Sequence, residues 1–176
     1  MNLFQKLGAL FTAKTVATPE TPQAVAPRQQ ITMTRVYDVN RQKVWEMWTK
    51  PEKLCQWFGA LPFTATPETT KIDFRVGGTW QADLVNQKDG MVIPFRGKYL
   101  AIEAPHKLVF TIENTQNPGD ANVETVTVTF ADHAGTTQMT MTQEGHLSPE
   151  QYGDPLRNGY TAFFERMSVY MRLHSD

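Results

Sequence analysis

The feature that most constrains this chain is a series of period-two segments separated by short turns and closed by one long amphipathic helix. Ile72, Phe74 and Val76 alternate with Lys71, Asp73 and Arg75, and after a turn or bulge at Gly77-Gly78 the alternation resumes at Trp80, Ala82 and Leu84. Lys88-Asp89-Gly90 makes the next hairpin turn. A long strand then spans Met91 to Glu103, and Leu108, Phe110 and Ile112 mark another. A turn at Asn117-Pro118-Gly119-Asp120 leads to Val126, Val128 and Phe130, and Met139 and Met141 repeat the pattern beyond Gly135. Turns this short join neighbouring strands in antiparallel fashion, because parallel crossovers need a dozen or more residues. The final helix, opening at Pro155 or Arg157 and ending at His174, carries Tyr160, Phe163, Phe164, Met167, Tyr170 and Met171 on one broad face that must be buried.

Ahead of the sheet, Ile31 to Val39 is β-branched and reads as a first strand. Asn40 caps a helix over Arg41 to Thr49, Pro51 stops it, and a second short helix runs from Pro51 to Phe58, ended by Gly59. Ala60 to Thr70, with two prolines, reads as irregular. The expected fold is therefore α+β: one strand, two short helices, and an antiparallel sheet curved around the terminal helix.

The first thirty residues differ in kind. Leu3, Phe4, Leu7, Leu10 and Phe11 form the apolar stripe of a short helix within residues 1–14, with Lys6 and Lys14 off it. Residues 15–30 carry Pro19, Pro22 and Pro27 with no periodicity, which reads as an extended linker to a domain over residues 31–176. The stretch from Leu7 to Phe11 is shorter than the apolar region of a secretory signal. Docking of residues 1–14 to a membrane surface or a partner protein is the functional expectation for this segment, against a frayed or self-packed terminus joined by a floppy linker.

With 40% hydrophobic residues in 176, the chain has enough apolar content for a core, and it contains no membrane-length apolar run. Its net charge of −1 divides into +2 over residues 1–30 and −3 over residues 31–176, which gives nucleic acid no basic surface to bind. Cys55 is the single cysteine, so no intrachain disulfide forms and a reducing, cytoplasmic setting is expected. His106, His133, His146 and His174 are too widely spaced for a metal-ligand motif. Neither a cofactor, a metal nor a catalytic residue is expected. Arg35, Arg96 and Glu113 are the polar strand residues a catalytic site could draw on, and surface or paired roles fit them better.

Several segments together resemble the activator of heat-shock-protein-ninety ATPase homologue family, within the START-like (SRPBCC) superfamily. They are Val44-Trp45-Glu46-Met47-Trp48-Thr49-Lys50-Pro51-Glu52 with Gln56-Trp57-Phe58-Gly59, then the stretch from Ile72 to Trp80, Gly97-Lys98-Tyr99-Leu100-Ala101-Ile102, Pro105-His106-Lys107-Leu108-Val109-Phe110-Thr111, Val126-Thr127-Val128-Thr129-Phe130, Gly135-Thr136-Thr137 and Thr142-Gln143-Glu144-Gly145. One departure is visible: many bacterial members open the last helix with a Gly-Trp pair, where this chain has Gly159-Tyr160. The resemblance implies a helix-grip fold with a cavity between sheet and helix that binds a small hydrophobic molecule, such as a lipid. It also implies two alternatives: a cyclase or aromatase using the same cavity, and a co-chaperone-type interaction domain.

Strand alternation nominates the lining of such a cavity as Trp80, Phe110, Phe130, Met139 and Met141, facing Phe163, Phe164 and Met167 of the helix. Trp57, Phe58 and Phe63 are expected at its mouth. Either Phe95 and Tyr99 or Arg96 and Lys98 point inward from the long strand, where Pro94 marks an edge or bulge. The sequence leaves the oligomeric state open.

Overall fold

The computed structural model describes residues 28–116, 123–146, 148, 150 and 153–174. The segment assigned above to residues 1–14, residues 15–27 of the linker expected over 15–30, and the turn at 117–120 lie outside the described residues.

The first strand, β1 (Gln29–Tyr37), starts two residues before Ile31 and ends two before Val39. Asn40 then caps α1 (Arg41–Thr49), its side-chain oxygen accepting from the Lys43 amide at 2.9 Å. Lys50 takes an extended conformation, as the residue before proline must, and Pro51 opens α2 (Pro51–Trp57). The stretch expected to be irregular contains two short strands, β2 (Gly59–Ala60) and β3 (Phe63–Ala65), which pair with each other. Their shortness left no alternation to read.

The remaining strands are β4 (Lys71–Ile72), β5 (Thr79–Asn86), β6 (Val92–Glu103), β7 (Lys107–Asn114), β8 (Glu124–His133) and β9 (Thr136–Gly145). They join one antiparallel sheet in the order β1-β9-β8-β7-β6-β5-β3-β2, with β4 beside β5. The first strand thus pairs with the last, in unbroken register from Gln29↔Gly145 to Tyr37↔Thr137. On its outer face, threonines meet across the strands: Thr32 with Thr142 and Thr34 with Thr140, each pair at 3.1 Å.

Only Lys71 and Ile72 of the expected strand 71–76 pair with a neighbour; Phe74 and Val76 are 39% and 60% exposed. The chain instead folds back on itself. The Arg75 amide bonds the Asp73 carbonyl and the Gly78 amide the Arg75 carbonyl, so tightly that a Cβ on Gly78 would lie 2.1 Å from the Asp73 oxygen. Gly77 and Gly78 then exchange backbone bonds with Tyr99 of β6 at 2.8 and 2.9 Å.

The bulge of β6 falls between Tyr99 and Ala101, not at Pro94. Pro94 sits where β7 runs out: Phe95 pairs with the last residue of β7, Asn114, so the missing proline amide costs no ladder bond there. Pairing between β6 and β7 also lapses at Gly97 and Lys98, where side chains take over. The Trp80 indole donates to the Thr111 carbonyl at 2.9 Å and Thr111 Oγ1 accepts from the Lys98 amide at 2.9 Å.

The terminal helix α3 (Asp154–Leu173) lies in the concave face of the sheet, burying Leu156, Tyr160, Phe163, Phe164, Met167 and Met171. This is the helix-grip arrangement. Helix α1 covers β8 and β9 near one end, with Trp45 edge-on to Phe130 at 5.5 Å, and α2 bridges to α3 and β3.

Candidate functional site

Four tryptophans and their neighbouring rings form one aromatic network between the helices and the inner face of the sheet. Trp48, on the buried stripe of α1, sits 4.7 Å from the Trp57 ring and directs its indole N–H at Met139 sulfur, 3.3 Å away. Trp57 ends α2 and donates to the Met47 carbonyl at 2.7 Å, so both indoles are anchored despite near-complete burial.

Phe58 follows as the C-cap of α2, its amide still bonded to the Leu54 carbonyl. From there its ring enters the interior between Trp80, Phe95 and Phe163, at centroid distances of 5.8, 5.6 and 5.4 Å and all edge-on. A cavity of about 20 Å³ lies on one side of it, walled by Trp48, Leu54 and Trp57 from the helices and by Trp80, Tyr99, Leu108 and Phe110 from the strands. A second, of about 30 Å³, is shared by Phe58 with Phe95, Ile112, Leu156, Gly159 and Phe163, together with Gln143 and Tyr160. Each has room for one or two waters, and the first is walled by apolar groups. Among the described residues, Phe58 is thus the common wall of these two small voids.

The second void has a polar end. Tyr160 donates to Gln143 Oε1, and both residues are buried, at 7% and 1% exposure. Burial first, and the Glu124 carboxylate second, push the Tyr160 phenol far above its usual range, so it remains a neutral donor. Glu124 accepts from the His146 amide at 3.2 Å. Asn114, fully buried two residues beyond Ile112 on the same face of β7, has an Nδ2 donor without a hydrogen-bond partner among the described residues.

All thirteen residues nominated from the sequence are buried. Trp57, Phe58, Trp80, Tyr99, Phe110, Phe95 and Phe163 line one or both voids. Phe63, Phe130, Met139, Met141, Phe164 and Met167 are packed core, away from either. Trp57, Phe58 and Phe63, expected at a mouth, are at most 5% exposed and form interior wall or core. The choice left open in β6 falls to Phe95 and Tyr99. Arg96 turns outward to Asp83, and Lys98 is exposed. The lining residues that sequence reasoning missed include Leu108 and Ile112, which alternation with Phe110 already placed on the inner face. Tyr160 was already on the buried face of α3, but nothing in the sequence paired it with Gln143, because their bond joins a helix to a strand across the core.

Cys55 is 4% exposed, burial raises its thiol pKa, and its sulfur lies against the Glu52 carbonyl. Arg35 bonds Thr161 of α3, and Glu113 stands opposite Arg96 on the outer face of the sheet. Among the described residues, no three His, Cys, Asp or Glu side chains come together to hold a metal, and no helix is long and apolar enough to cross a membrane.

A curved antiparallel sheet gripping a C-terminal helix, with two short helices after the first strand, defines the START-like class of protein. Within that class, residues 38–172 match the model of the family described as activator of Hsp90 ATPase homolog 1-like protein, and the chain belongs to that family. Similar solved structures include the AHSA1-like protein of Aeromonas hydrophila, 22% identical with a TM-score of 0.68, covering 82% of this chain and 93% of that one. The AHSA1 protein of Silicibacter pomeroyi gives 18% and 0.69, with coverage of 82% and 99%. A protein of Rhodobacter sphaeroides gives 16% and 0.71, with coverage of 89% and 99%. At these identities the likeness concerns the fold. A search of curated proteins finds no match.

Proposed function

We propose that this chain binds a small hydrophobic molecule between the sheet and α3, in a space opened by displacement of the Phe58 ring. The observation that carries this reading is the pair of adjoining voids with Phe58 as their shared wall. A side chain held by edge-on ring contacts, each worth roughly 0.5–1.5 kcal/mol, can yield to a ligand that replaces those contacts in kind. The Gln143–Tyr160 pair at the far end would orient a polar group on an otherwise apolar ligand. The lone thiol suits a reducing compartment such as the cytoplasm.

The test begins with native mass spectrometry of the purified full chain, followed by solvent extraction of any co-purified molecule. In parallel, the chain is titrated with 1-anilinonaphthalene-8-sulfonate under folded conditions. Retained mass, or saturable dye binding with a raised Tm, is the expected result. Leu156→Trp, which fills the second void, should abolish dye binding while thermal melting confirms that the variant is folded. Equal dye binding by that variant, or neither retained mass nor saturable binding by the natural chain, would refute the proposal.

A further inference from the structure

The outer side of α3 carries an apolar groove unrelated to the interior voids. It has a volume of about 550 Å³ and runs between Ala162, Val169 and Leu173 of the helix and Ala60 and Leu61 at the β2 corner. Leu61, Val169 and Leu173 are 75%, 43% and 73% exposed. Arg166 fixes its floor, donating to the carbonyls of Gly59 and Gln56 at 3.1 and 3.0 Å, and Glu165 stands exposed on its rim. Exposed large apolar side chains clustered in one concavity mark a surface that something covers.

We infer that residues 1–14 of the same chain dock in this groove as an amphipathic helix. Leu3, Phe4, Leu7, Leu10 and Phe11 supply an apolar stripe of matching character, and Lys6 and Lys14 beside it complement Glu165. The dimensions agree. At about 1.5 Å per residue, the groove spans about 17 Å of α3 and fourteen helical residues span about 21 Å. Residues 15–28 connect the two. At the roughly 3.1 Å per residue of a polyproline II chain, a segment of that length is long enough to reach about 40 Å from β1, whereas a domain of this size has a radius of gyration of about 15 Å.

Thermodynamics favours this occupant over others. A helix of fourteen residues is marginal in water by itself and gains stability by burying its stripe. A tether of this length holds it near the groove at an effective concentration on the order of millimolar, which a second copy at micromolar concentration does not match. Two lysines give only about 1 kcal/mol each of attraction to an anionic lipid surface, so a bilayer is the weaker competitor. The inference is independent of the ligand reading, since it concerns the opposite side of α3.

The experiment uses the full chain with a photoreactive p-benzoylphenylalanine replacing the exposed Leu61. Irradiation should crosslink position 61 to residues 1–14 within a monomer, with a yield unchanged over about a hundredfold dilution, as an intramolecular contact requires. Leu7→Asp in the same chain should reduce that yield at least tenfold while the domain still melts cooperatively, its Tm lowered by no more than the few degrees that undocking alone removes. A crosslinked product of twice the mass whose yield rises with concentration would assign the groove to a second copy and overturn the inference. Crosslinks confined to residues 28–174, or capture of residues 1–14 only by phosphatidylglycerol vesicles, would overturn it equally.

Discussion

Phe58 is the residue on which the interior turns. Truncation in Phe58→Ala removes a buried ring and joins two existing voids, so it should cost about 3–5 kcal/mol, read as a shift of the urea midpoint at unchanged m. The merged space, of the order of the 150 Å³ cavities that admit benzene, should make the Tm of the variant rise more in benzene-saturated buffer than that of the natural chain, where Phe58 must first be displaced. Tyr160 tests the polar end of the same region. Tyr160→Phe leaves the buried Gln143 Oε1 without its phenol donor, at a cost of about 1–3 kcal/mol. Because the folded phenol titrates above its ordinary value of 10.0, its contribution is complete below that pH and is lost as pH rises through the folded value. Stability measured from pH 8 to 11 should therefore fall less steeply in Tyr160→Phe than in the natural chain. The inner-face aromatics were legible because a strand's alternation fixes facing before any partner is known, and Phe110 shows this. The bond from Tyr160 to Gln143 was not, since no periodicity within either element specifies which residues meet across a core.

At the level of the element, the lapse in pairing between β6 and β7 is held open by Gly97. A Cβ there would lie 1.7 Å from the Thr111 carbonyl oxygen and 2.3 Å from Trp80 Nε1, both atoms engaged with each other. Gly97→Ala must push the β7 backbone away and break the Trp80 bond, so a loss of more than about 3 kcal/mol is expected. Gly90 provides the contrast: its φ of +73° strains an alanine, yet nothing lies within 4 Å of the new methyl. Gly90→Ala should cost about 1 kcal/mol, and chemical denaturation of the two variants side by side decides whether close approach or turn geometry matters more. Gly90 read in the sequence as part of a hairpin turn, whereas Gly97 fell inside the long strand expected from Met91 to Glu103. Helices α1 and α2 were readable to within a residue because Asn40 and Pro51 act through local chemistry. The segment from Asp73 to Val76 misled because its alternation is genuine while its backbone turns in on itself: the Asp73 amide bonds the Thr79 carbonyl and the Arg75 amide the Asp73 carbonyl, and it is the following Gly77 and Gly78 that reach Tyr99 on β6.

Across the whole molecule, the controlling fact is that β1 closes against β9. Met33 pairs with Met141 and Ile31 with Gln143, contacts separated by over a hundred residues, whereas β5 to β6, β6 to β7 and β8 to β9 are neighbours in sequence. The broad apolar face of α3 announced that the sheet must wrap it, but no local signal told which strand would complete the wrap. Loop-closure entropy must be met before such a distant pairing returns any stability, so folding is expected in the millisecond-to-second range. The same argument orders events. The central hairpins can form with small loops, and β1 has no surface to join until β8 and β9 are paired. Met33→Ala, which empties a buried position in β1, should therefore accelerate unfolding with little change in the folding rate. Leu108→Ala, 1% exposed in the middle of β7, should slow folding instead. Chevron plots of the two variants separate the possibilities: a slowed folding limb in Met33→Ala would place β1 inside the nucleus, and the sheet would then have to close before its hairpins are complete.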